Sequence, residues 1–118
     1  MSAAFDETEA LRRTRGDRAL LAELIEILLE DSPQHLQSAE DALARGDTPA
    51  FRQAVHTLKG SMTTFVLDDR NDAVHRLERM ARDGELNDAR ELLSELERDL
   101  TKLSREANVW WSRYRRSS

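Results

Sequence analysis

Histidine, lysine and glycine fall together in the run Ala54-Val55-His56-Thr57-Leu58-Lys59-Gly60-Ser61, where their spacing sets a nucleophile, a cation and an open patch side by side. Phe51, Val55, Leu58, Met62 and Phe65 recur at steps of 4, 3, 4 and 3 residues. At about 100° per residue, that spacing makes one apolar helix face. His56 lies roughly 140° from this face and Gly60 about 180° from it, so both point to water. Lys59 at i+3 and Gly60 at i+4 are the neighbours of His56 one turn on. Imidazole titrates near pH 6.5 and is largely neutral, hence nucleophilic, at about pH 7. Glycine in a helix interior costs about 1 kcal/mol against alanine, so Gly60 suggests close approach by something bulky. The plainer readings are a solvated histidine, an ordinary surface lysine and a glycine that admits another helix.

The elements that must carry this turn read as helices throughout. Asp6 caps a short first helix, with Glu9 three residues on to complete a capping box and Leu11 as its apolar contact. Asp17 caps the next, whose Leu21, Ile25 and Leu28, joined by Leu20, Leu24 and Ile27, make a broad buried face. The register 21, 25, 28, 32, 36, 39, 43 runs across Pro33, which predicts one long helix over about 18–45, kinked near Leu29 to Pro33. Gly46 ends it, and Asp47-Thr48-Pro49 launches the His56 helix, which is expected to run to about Val66. Asp68 or Asp69 then caps a helix burying Val74, Leu77, Met80 and Ala81, closed by Gly84. From Leu86 to Tyr114, steps of 3 and 4 continue without interruption, predicting a final helix about 43 Å long.

The chain has 118 residues, enough for one domain that buries roughly two-thirds of its unfolded surface. Charged residues at 35% against hydrophobic ones at 39% suit helices with one apolar face each. A net charge of -5 argues against nucleic acid as the main partner. Without cysteine there is neither a disulfide framework nor thiolate chemistry, which fits a cytoplasmic protein. No signal peptide or membrane span is expected. Nor is there an HExxH, a paired Glu-x-x-His or a nucleotide-binding glycine loop, so the chain is read as neither a metalloenzyme nor an ATP-using kinase. His35 and His75 read as surface residues.

The run His56-Thr57-Leu58-Lys59-Gly60-Ser61 resembles the signature of histidine-containing phosphotransfer (HPt) domains, helical bundles that relay phosphoryl groups between receiver aspartates. Gly16-Asp17, Leu20 to Leu24, Ala42 to Asp47, Leu77-Glu78 and Gly84 extend the resemblance over about residues 5–105, leaving 106–118 as a helical extension or tail. Val55 and Val66 depart from the small residue and the glycine the family often has there.

The resemblance implies an all-α fold: an up-and-down four-helix bundle with an additional short N-terminal helix and a long C-terminal helix, forming a single domain over 1–118. It implies a phosphocarrier in which His56 accepts the phosphoryl group on Nε2, Lys59 holds its oxygens and Gly60 clears space for the partner. Arg52 and Gln53, one turn earlier, are candidates to orient the ring or contact the phosphate. The partners would be receiver domains of response regulators or hybrid kinases. Mg²⁺ is expected on the receiver, with no cofactor, nucleic acid or membrane for this chain. The competing reading is a non-phosphorylated adaptor that binds a receiver or dimerises through Trp110 and Tyr114. Those two residues have an intramolecular use as well, covering the N-terminal segment near Phe5 and Leu11.

Overall fold

The computed structural model describes residues 5–65 and 72–117, which form five α-helices and, among the described residues, no strand. They are α1 (Glu7–Arg13), α2 (Arg18–Arg45), α3 (Thr48–Thr63), α4 (Asp72–Asp83) and α5 (Ala89–Ser117). Helix starts follow the acceptor side chains: Asp6 accepts from the Glu9 N–H, Asp17 from Leu20 and Asp47 from Ala50, at 2.9–3.1 Å. Gly46 stops α2 in the left-handed region at φ 70°, which lets the Asp47 N–H reach back to the Ala42 carbonyl at 2.9 Å.

The helices α2 to α5 pack in a ring in which each touches the next and α5 closes on α2. That is an up-and-down four-helix bundle, with α1 resting against α2. Phe51, Val55, Leu58 and Met62 from α3 meet Leu21, Ile25 and Leu28 from α2, Val74 and Leu77 from α4, and Leu96 and Leu103 from α5 in one core. At 1.5 Å per residue, the 29 residues of α5 run about 43 Å, close to the 46 Å long dimension of the molecule. No described helix is long and apolar enough to cross a membrane.

One expectation holds and several need correction. The seven-position register across Pro33 lies in one unbroken helix, so the long form is observed. Proline has no N–H for the Leu29 carbonyl, and the adjacent buried Ser32 turns its hydroxyl to the Leu28 carbonyl at 2.5 Å. Leu20 and Ile27 are not buried: they remain 40% and 53% exposed, because the apolar arc of α2 is wider than its neighbours cover. The capping box is half formed. Glu9 pairs with Arg12 and Arg13, and the Asp6 N–H donates to the Phe65 carbonyl at 2.9 Å. α3 ends at Thr63, short of the expected end, and α5 begins at Ala89. His35 and His75 are half-buried. The Val66 departure and the Asp68 or Asp69 cap lie outside the described residues.

Candidate functional site

The apolar stripe of α3 is fully inside: Phe51, Val55 and Leu58 have no exposed surface and Met62 has 2%. This fixes the rotation of the helix and leaves the His56 side chain 69% exposed on its outer side, next to α4. The neighbouring helix is held in register by Val74 and Leu77, which have no exposed surface, and Ala81, which has 2%. Glu78, beside Leu77, therefore stands on the flank that faces α3.

One carboxylate joins the two residues of the motif. Glu78 Oε2 lies 2.8 Å from His56 Nδ1, and Glu78 Oε1 accepts from Lys59 Nζ at 2.7 Å. Residues 56 and 59 are one turn apart on α3, so a single fork on the adjacent helix can span both. The Lys59 ammonium, then the His56 ring, hold the Glu78 carboxyl below the usual carboxylate range, with partial burial pulling the other way.

The tautomer follows from this pairing. An ionised carboxylate only accepts, so Nδ1 must carry the hydrogen that it donates to Glu78. In the neutral ring, Nε2 is then the nitrogen with the free lone pair, on a side chain that is 69% exposed. A nucleophile, a fixed ring orientation and an adjacent cation are all present, which is what covalent group transfer needs.

At Gly60, a Cβ atom would meet nothing within 4 Å. Among the described residues no contact demands glycine here, which speaks against the helix-packing reading and leaves open space one turn from the imidazole. Arg52 and Gln53 line a groove of about 650 Å³ with His56, Arg82, Asp83 and Gly84. Neither Arg52 nor Gln53 bonds the ring; Glu78 does.

His56, Lys59 and Gly60 thus come together as expected, and Arg52 and Gln53 stand alongside. Glu78 is the addition. It was legible only as part of the Leu77-Glu78 resemblance, because pairing across helices 22 residues apart leaves no trace in the periodicity of either helix. Among the described residues, no group of three or more His, Asp or Glu is placed to hold a metal ion.

The Hpt domain family model matches residues 23–106, well over half the chain. The fold is also that of the crystal structure of histidine-containing phosphotransfer protein B (HptB) from Pseudomonas aeruginosa PAO1. The TM-score is 0.85 at 24% sequence identity, covering 97% of this chain and 99% of that one. No protein in a search of curated sequences matches.

Proposed function

Because the chain belongs to the Hpt domain family and is a phosphorelay intermediate, we propose that Nε2 of His56 is the atom on which it carries the phosphoryl group. The observation that supports this most is the Nδ1–Glu78 contact of 2.8 Å, which in the neutral ring leaves the lone pair on Nε2, on a side chain that is 69% exposed. The Nε2 lone pair attacks phosphorus in line as the bond to the receiver's aspartyl oxygen breaks, and the carboxylate leaves. Phosphorylated Nε2 with Nδ1–H retained makes the ring cationic, and the Glu78 carboxylate stabilises that charge from the far side. Lys59 turns from Glu78 to the equatorial oxygens, a short swing for a flexible ammonium. Reversal of the step passes the group to another aspartate.

Gly60 admits the partner's surface to the ring, and the Mg²⁺ that such transfer uses belongs to the receiver. The family consists of phosphocarriers, not kinases, and we read this chain as using no ATP of its own. Its partners are then receiver domains of response regulators or hybrid kinases. A cytoplasmic location follows from the same reading, in keeping with the cysteine-free composition. The test is incubation with a phosphorylated receiver. Acid-labile, base-stable label should appear on the wild type and be absent from His56→Gln; equal labelling of both would defeat the assignment.

A further inference from the structure

We propose that Arg52 on α3 and Arg82 on α4 form a basic pair beside His56 that engages the carboxylate-rich rim of the partner's phosphoryl-bearing site. The pair would thereby set which receivers exchange with this chain. This deepens the phosphorelay reading and rests on it. Charge distribution is the first observation. Although the chain carries a net charge of -5, α3 holds Arg52 and Lys59 and is the one described helix without a carboxylate.

The second observation is which cations are committed. Lys59 is bound to Glu78 at 2.7 Å, within the site itself. Arg52 is exposed and, among the described residues, has no ion pair. Among the described residues, Arg82 makes only a loose contact with its neighbour Asp83 at 3.6 Å, with both side chains more than half exposed. The third observation is placement: Arg52 and Arg82 line the same groove as His56 from two different helices. Arg52 stands one turn before the histidine, and Lys59 stands one turn after it.

The chemistry of the partner supplies the complement. Mg²⁺ beside a phosphoryl-bearing aspartate is held by one or two carboxylates together with the phosphoryl oxygens, so the receiver presents acidic groups around that site. Guanidinium forks match carboxylates in geometry as well as charge. Exposed complementary charges govern association rate and partner choice more than affinity, and a local positive face on an acidic molecule orients the encounter.

The experiment follows the second-order rate of transfer from the phosphorylated receiver that labels the wild type, at low and high salt. Arg52→Ala and Arg82→Ala should each slow transfer at low salt by about three- to tenfold, and the double variant more, with the gap closing at high salt. Arg82→Lys should keep the salt dependence, and Asp83→Asn, which frees Arg82, should speed transfer. Labelling of His56 by phosphoramidate, a small donor that needs no docking, should fall by less than the receiver-dependent rate. The proposal is overturned if the double variant keeps the wild-type salt dependence, or if both donors slow equally. A wild type that no receiver labels would overturn the phosphorelay reading beneath it.

Discussion

Glu78 is shared between His56 and Lys59, and in the proposed transfer the ring would stay where it is while Lys59 would leave. Gln at 78 can still accept from Nδ1 but loses the charge, so Glu78→Gln should slow transfer about tenfold. Glu78→Ala, losing both, should slow it about a hundredfold. Nitrogen-15 NMR of the ring should show Nδ1–H in the wild type and mixed tautomers in Glu78→Ala. The lowered Glu78 pKa also predicts a stability effect. Its pairing stabilises the fold above the ordinary carboxylate range and is lost as pH falls through the depressed value. The stability gap between wild type and Glu78→Gln, below about 1 kcal/mol for such an accessible pair, should therefore shrink in acid. Gly60→Ala separates fold from function. With open space at the Cβ position, it should leave stability equal or raise it by up to about 1 kcal/mol, yet slow receiver-dependent transfer tenfold or more. Denaturant titration and transfer kinetics on the same variant check both halves.

Among the elements, α2 keeps its register through Pro33 because the ring faces outward and only one backbone bond is missing. Pro33→Ala restores that bond and should raise stability by about 1 kcal/mol or more, read by thermal unfolding. Helix existence, the caps at Asp6, Asp17 and Asp47 and the face carrying His56 were all legible in the sequence, because capping chemistry and apolar spacing are local. What depends on a second element was not. The exposure of Leu20 and Ile27 depends on how much of α2 the neighbouring elements cover, the reach of Glu78 on the α3–α4 register, and the unfinished capping box on competition from Phe65, Arg12 and Arg13.

For the whole molecule, the long α5 joins the far end of the bundle to the N-terminal segment. Glu106 accepts from the Phe5 N–H at 2.8 Å, and the Trp110 indole donates to Glu7 at 3.1 Å. Trp110 stacks on Tyr114 at 5.5 Å and lies beneath the Arg18 guanidinium. The Phe5 ring packs on Phe65, just past the end of the His56 helix, at 6.2 Å. The buried Trp110 is thus engaged within the chain, while Tyr114 beside it stays half-exposed. Trp110→Ala should cost about 3 kcal/mol and loosen α1, seen as faster amide exchange there, while His56 keeps its bond to Glu78. The central claim concerns a single atom, so the most direct measurement is phosphorus and nitrogen NMR of the chain after transfer from a phosphorylated receiver. One phosphoryl group is expected on Nε2 of His56 with Nδ1 still protonated; a phosphoryl group on Nδ1, or on any other residue, would rule this assignment out.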